Sequence, residues 1–248
     1  MESLRLSGKP DAGLEFWDSL DRGKCGDGEQ AALLLERAYL LRDCGRKDEA
    51  LQTLSEPNVG LIERFPTLPL IADAELLAGD LNWDRREYQK ALESFRKALQ
   101  KRPSRIFGEV VKGRIGDALL KQYESTSADE ALREAAGIFE ELSGKSDTPT
   151  IRLQSLYKLG YCRQELRDLR GAVAAYEQTL LCARVLKNQG IAFDPEWCGR
   201  SYYAALKILR ESRFSNRKQI GLRIIDSFRK LGIEGAAEDA AASEKEFR

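Results

Sequence analysis

A small residue followed twelve positions later by an alanine recurs along the chain: Ala38 with Ala50, Gly79 with Ala91, Gly160 with Ala172. Four residues beyond each alanine stands an apolar side chain, Leu54, Phe95 or Tyr176. Neighbours on one helix face lie three or four residues apart, so this spacing does not describe a single face. It suits two antiparallel helices joined by a tight turn, with the small residues where the backbones come closest. Recurrence at about forty residues predicts a solenoid in which each helix pair packs on its neighbours around a continuous core.

An absence narrows the chemistry. The 248 residues include no histidine. Imidazole serves general acid–base catalysis near neutral pH and most transition-metal sites. Ser-His-Asp and Cys-His nucleophiles, histidine-bearing zinc sites and histidine-ligated haem are therefore excluded. Forty basic and forty acidic residues cancel, which gives no global attraction to nucleic acid or to an anionic membrane. No run of eighteen apolar residues occurs, so no transmembrane segment is expected. The opening residues Met1–Gly8 lack the apolar core of a signal peptide. Five scattered cysteines, Cys25, Cys44, Cys162, Cys182 and Cys198, cannot all pair within one chain. They lean toward a reducing compartment such as the cytoplasm.

The clearest unit runs from Ala72 to Pro103. Asp73–Trp83 reads as a helix with small residues at Ala74, Ala78 and Gly79, and Arg85–Tyr88 as a turn. A second helix, Gln89–Lys101, places Leu92, Phe95, Ala98 and Leu99 on one stripe. Pro103 then forbids continuation. The pattern returns around Leu153–Cys182, with Leu156, Leu159, Gly160, Leu169, Ala172 and Tyr176, and around Ala31–Glu56, with Leu34, Ala38, Leu41, Gly45, Ala50 and Leu54. A stretched unit lies between them: Gly116 and Leu119, then Ala135, Phe139 and Leu142, joined by a long connection over Glu124–Asp129. Ser127 or Asp129 is expected to cap its second helix. Asp194-Pro195-Glu196 opens a final degenerate pair, whose second helix uses Gly221, Ile225 and Phe228.

The Ala72–Pro103 unit resembles the tetratricopeptide repeat, through Gly79, Tyr88, Ala91, Phe95, Ala98 and Pro103. Glu75 stands where that family has its first aromatic residue. The resemblance implies an all-α, right-handed superhelical solenoid of antiparallel helix pairs. Its expected segments are a partial repeat over 1–30, repeats over 31–68 and 69–107, and a repeat with a long loop over 108–147. A repeat over 148–193, a degenerate one over 194–232 and a capping helix over 233–248 follow. Lys9–Gly13 with Leu14, Trp17 and Leu20 reads as a turn and second helix whose own first helix is truncated or missing, as in a piece of a longer array. Arg64-Phe65-Pro66, Pro69, Ala72, Ala74, Gly79-Asp80, Tyr88 and Ala91 are also similar to a bacterial envelope subtype, found in outer-membrane assembly lipoproteins and Tol–Pal partners. That similarity offers the periplasm as the alternative compartment.

In tetratricopeptide arrays the first helices line the concave face, where partners lie. The resemblance carries that role to Tyr39, Arg42, Asp80, Trp83, Asp84, Asp117, Lys121, Tyr157, Tyr161, Gln164 and Tyr202. Aromatic residues among charges suit a peptide or partner helix, because they bury much area at small entropic cost. Some of these tyrosines could equally pack between repeats. A subset of the family clamps the C-terminal carboxylate of heat-shock chaperones through asparagine and lysine. Tyr39, Asp80, Asp117 and Tyr161 occupy the corresponding positions, and two acids there would repel a carboxylate.

Other motifs have plainer readings. Eight basic residues between Lys207 and Lys230 form a run that could hold an acidic tail, nucleic acid or lipid, or simply a solvated face neutralised by Glu234–Glu246. Gly144-Lys145-Ser146 lacks the earlier glycine and the strand of a phosphate-binding loop. Gly26-Asp27-Gly28-Glu29 lacks the alternating oxygens of a calcium loop. Cys162, Cys182 and Cys198 read as buried thiols rather than a zinc site. The resulting expectation is a non-enzymatic scaffold with no catalytic residue, metal or cofactor. It would bind another protein's peptide or helix in its groove, and self-association through terminal repeats is open. A structural segment of a multidomain, envelope-associated protein is the alternative. An enzyme built on carboxylates alone would need two acids facing across a closed pocket, which the repeat pattern gives no reason to expect.

Overall fold

Short polar turns cut the chain into helices wherever the apolar stripe ends. The computed structural model describes residues 1–101 and 104–247, and its elements follow in chain order. They are α1 (Glu2–Leu6), α2 (Pro10–Ser19), α3 (Asp27–Asp43), α4 (Lys47–Ser55), α5 (Leu61–Arg64), α6 (Ile71–Asp84) and α7 (Tyr88–Gln100). Then come α8 (Arg105–Thr126), α9 (Asp129–Lys145), α10 (Pro149–Glu165), α11 (Leu169–Asn188), α12 (Glu196–Glu211), α13 (Arg217–Arg229) and α14 (Ala236–Phe247). No strand occurs among the described residues. The chain is all-α, a succession of packed helix pairs.

Three turns share one geometry. Between α3 and α4 the amide of Arg46 donates to the Leu41 carbonyl at 2.8 Å; between α6 and α7 Glu87 donates to Asn82 at 2.9 Å; between α10 and α11 Asp168 donates to Arg163 at 2.8 Å. In each turn the preceding residue is left-handed: Gly45 (φ 77°), Arg86 (φ 62°) and Arg167 (φ 66°). This is the glycine-type helix stop, which closes the last orphan carbonyls of the first helix and reverses the chain. Gly45 adopts it without cost, whereas Arg86 and Arg167 carry a Cβ into an unfavourable region.

The glycines inside the pairs have a different reason. A Cβ on Gly79 would stand 2.3 Å from the ring of Phe95, and one on Gly160 would stand 2.5 Å from the ring of Tyr176. Both rings are at most 1% exposed. The residue sixteen positions on therefore sets the closeness of each pair, and Ala91 and Ala172 are the small, fully buried residues one turn before it. In the first pair Ala38, Ala50 and Leu54 fill the equivalent space, all buried.

The helices gather into two compact units, Met1–Gln122 and Tyr123–Arg248, divided within α8. In the first, α3 pairs with α4 and α6 with α7, while α6 also packs on α4 and touches α3. In the second, α10 packs on α9, α11 and α12; α11 also packs on α12 and α13, and α14 on α13. Successive helices thus pack together from α1 to α7 and from α9 to α14, and α3 with α6, α10 with α12 and α11 with α13 also meet across neighbouring pairs, as in a repeat array. The contact of α14 on α13 reuses the glycine device, for a Cβ on Gly221 would meet the Phe247 ring at 2.3 Å.

Several expectations need correction. The connection expected over Glu124–Asp129 is only Ser127–Ala128, because nothing in Glu124–Thr126 breaks a helix and α8 runs on for 22 residues. Neither Ser127 nor Asp129 caps α9. Its cap position is Ala128, with no side-chain hydrogen bond, and Asp129 instead accepts from Arg133 at 3.1 Å. Ahead of α2 stands only the five-residue α1, a truncated first helix, which packs on α2 and α3, with Arg5 Nε donating to Glu36 at 3.0 Å. The stop expected of Pro103 lies outside the described residues; α7 ends at Gln100. Glu75, in the place of the family's aromatic, is only 4% exposed. Burial pushes its carboxyl up, against the attraction of Lys97 and Lys101.

The strained turn residues give a direct check. Arg86→Gly and Arg167→Gly are each expected to raise the unfolding free energy by about 1 kcal/mol, read as a higher urea midpoint at unchanged slope.

Candidate protein-binding faces

The residues expected to meet a partner come from the first helices of the pairs, and each unit arranges them differently. In the first unit α3 supplies Tyr39 and Arg42, α6 supplies Asp80, Trp83 and Asp84, and α8 supplies Asp117 and Lys121. The half-buried Tyr39 ring lies under two guanidinium groups, Arg5 at 4.9 Å and Arg42 at 5.1 Å from its centroid. Burial, and then the Asp73 carboxylate, push its hydroxyl pKa up. Trp83 is half-exposed and meets Tyr88 edge-on at 5.0 Å.

The acids of this face are not waiting for a cation. Asp80 pairs with Arg114 at 3.2 Å; burial pushes its carboxyl up, with Arg114 and Arg42 opposing. Asp84 pairs with Lys47 of the preceding helix pair at 2.7 Å. Asp117 and Lys121 are half-buried on α8. Asp73, missed from the sequence, belongs with this set: it sits two helical turns before Asp80 on the same face, and burial pushes its carboxyl up. That spacing of seven was the available signal.

In the second unit α10 carries Tyr157, Tyr161 and Gln164. Tyr157 packs between Tyr176 (ring centroids 5.8 Å apart) and Trp197 (5.3 Å). Gln164 is held from below, its Oε1 accepting from the Tyr176 hydroxyl at 3.1 Å. Tyr161 is half-exposed. Burial first, then the charges of Glu165 and Glu124, push its hydroxyl to about 12. The Tyr123 hydroxyl donates to Glu165 Oε2 at 3.4 Å. Among the described residues no lysine or arginine stands within ion-pair distance of Glu165. Trp197 lies under two cations, Lys158 at 5.6 Å and Arg200 at 5.5 Å.

Tyr202 belongs elsewhere. It is fully buried, stacked on Phe228 at 4.1 Å, and donates to the Asp239 carbonyl at 3.2 Å. Its helical position points it into the core toward α13, so it offers no surface, while its neighbour Tyr203 is 52% exposed. Tyr123, Glu165 and Trp197 were missed because none falls at a position that the repeat pattern marks.

Cys162 and Cys198 are buried, and burial pushes the Cys198 thiol to about 12, consistent with small apolar fillers. No group of three or more metal-ligating side chains is found among the described residues, and no described helix is long and apolar enough to cross a membrane.

No family model matches the chain, and no curated protein matches it in sequence. Among solved structures it is similar to the TPR2AB domain of yeast Sti1 in a complex with pHSP90. The identity is 12%, the TM-score 0.37, and the match covers 99% of this chain and 95% of that one. A likeness that loose carries no argument, and the repeat architecture rests on this chain's own turns and helix pairs.

The raised Tyr161 hydroxyl fixes a pH dependence. The folded state keeps a proton that the unfolded state releases near pH 10, so stability is lost as pH rises from 10 toward 12. Relative to Tyr161→Phe, the wild type is expected to lose stability over that window in chemical unfolding. Parallel curves would place the hydroxyl in water.

Proposed function

We propose that the chain is a non-enzymatic scaffold whose first-helix faces bind a segment of another protein, and that the second unit takes a basic side chain of that segment. The observation that carries this reading is Glu165. It is a carboxylate without a cationic partner among the described residues, beside the phenol rings of Tyr123 and Tyr161. A lysine or arginine seated there gains a charge-assisted bond to Glu165 and an aromatic face. In the first unit Tyr39 and Trp83 supply apolar contact area. Asp80 and Asp84 already hold Arg114 and Lys47 and act as rim, where exposed pairs contribute little.

A second reading, a structural repeat segment of a larger envelope-associated protein, draws on Leu6 and Phe16. They are 71% and 48% exposed on the two N-terminal helices, an apolar surface suited to association.

Affinity purification from the source organism with wild type, Trp83→Ala, Tyr161→Ala and Glu165→Lys separates them. The scaffold reading expects a partner bound by wild type and weakened by about 2 kcal/mol in Tyr161→Ala, with Glu165→Lys losing it and all variants keeping wild-type helicity. A partner held equally by every variant overturns it. Recovery of the chain alone as a self-associated species, abolished by Phe16→Ser, supports the segment reading.

A further inference from the structure

Carboxylates hold four of the eight basic residues in the Lys207–Lys230 run. Arg210 pairs with Glu246 at 2.5 Å, Arg229 with Glu244 at 2.5 Å, Lys230 with Asp226 at 2.6 Å, and Arg223 with Glu177. Arg213 and Arg217 have no carboxylate partner among the described residues, and both are exposed. They flank Phe214 and Asn216 in sequence, and those two residues line a cavity of about 150 Å³ on α11 and α13. Its apolar walls are Val173, Phe214 and Ile220, with the exposed Ala174 at its mouth. A third cation, Arg170, lies over the Phe214 ring at 5.0 Å and likewise has no carboxylate partner among the described residues. The one acid in the cavity wall, Glu177, is already neutralised by both arms of the Arg223 guanidinium.

We propose that this cavity is a second docking site, on the second helices of the pairs, for an acidic protein segment that inserts one large apolar side chain. The volume is well below that of a drug-sized ligand pocket and suits a single leucine- or phenylalanine-sized anchor. Apolar anchors buried in a pocket inside a polar rim are the usual centre of a protein contact. The sign of the charge selects the partner: Arg170 at the cavity, with the exposed Arg213 and Arg217 adjacent in sequence to its lining residues Phe214 and Asn216, attracts carboxylates flanking the anchor, and a basic segment is repelled. The site shares no residue with the Tyr161–Glu165 face and stands independently of it.

The test is fluorescence anisotropy on the full chain with labelled peptides. One is an acidic peptide with a central phenylalanine, a second has serine in place of that phenylalanine, and a third replaces the acids by lysine. Phosphatidylserine vesicles and single-stranded DNA serve as other polyanions. The proposal expects the acidic phenylalanine peptide to bind about tenfold more tightly than its serine counterpart, and the lysine peptide not to bind. Ala174→Trp, which blocks the mouth, and Arg170→Glu are each expected to weaken it by about tenfold or more, with unchanged thermal melting. Tyr161→Ala should leave it unchanged. Equal binding of the serine peptide, or binding indifferent to Ala174→Trp, overturns the proposal in favour of charge alone. Tighter binding of vesicles or DNA, lost in Arg170→Glu, overturns it in favour of those polyanions.

Discussion

Two helix pairs in this chain, α6 with α7 and α10 with α11, rest on a ring laid across a glycine. Phe95 on Gly79 and Tyr176 on Gly160 are buried contacts in which a single methyl group would overlap the ring. Interiors are packed too densely to absorb such an overlap cheaply, so the glycine sets how near the two helices run. It accepts the cost of glycine in a helix, about 1 kcal/mol relative to alanine, in exchange for a large buried aromatic. The neighbouring features follow. Ala91 and Ala172 must be small one turn before the ring, and the chain must reverse within three residues, which the left-handed Gly45, Arg86 and Arg167 accomplish.

With the second helices committed to that contact, the exposed chemistry is divided between surfaces. The chain is neutral overall, and many of its charges are paired between neighbouring helices. Lys47 reaches Asp84, and Arg85 reaches Asp48 at 2.7 Å, both between successive helix pairs. Two places of the second unit carry opposite signs: a carboxylate beside tyrosines on α8 and α10, and Arg170 at an apolar cavity on α11 and α13. Exposed ion pairs contribute little stability; charges of opposite sign in these two places would select different partners.

The helix pairs were legible because a steric constraint writes itself into residue size at fixed spacing. Gly79, Ala91 and Phe95 record one contact three times over. The Asp194–Glu196 start was legible too, as a proline beside an early acid: α12 begins at Glu196, whose amide donates to Asp194 at 2.9 Å. What the sequence did not show depends on partners distant along the chain. Periodicity gives Tyr202 and Tyr203 adjacent positions but not which of them α13 and α14 bury. It marks Asp80 and Asp84 as facing outward, yet their cations lie 34 and 37 positions away. The length of α8 was misread because a missing family match over Glu124–Asp129 resembled a loop, although nothing there breaks a helix.

The most direct test is a double-mutant cycle of Gly79→Ala and Phe95→Leu by urea unfolding. If the ring on the glycine governs the pair, Gly79→Ala alone destabilises the chain by about 2 kcal/mol. In the Phe95→Leu background, where the ring is gone, the same change is close to neutral, giving a coupling of about 1 kcal/mol or more. If Gly79→Ala instead stabilises the wild type by about the 1 kcal/mol of helix propensity, with no coupling to Phe95, the contact does not set the pair and the account fails.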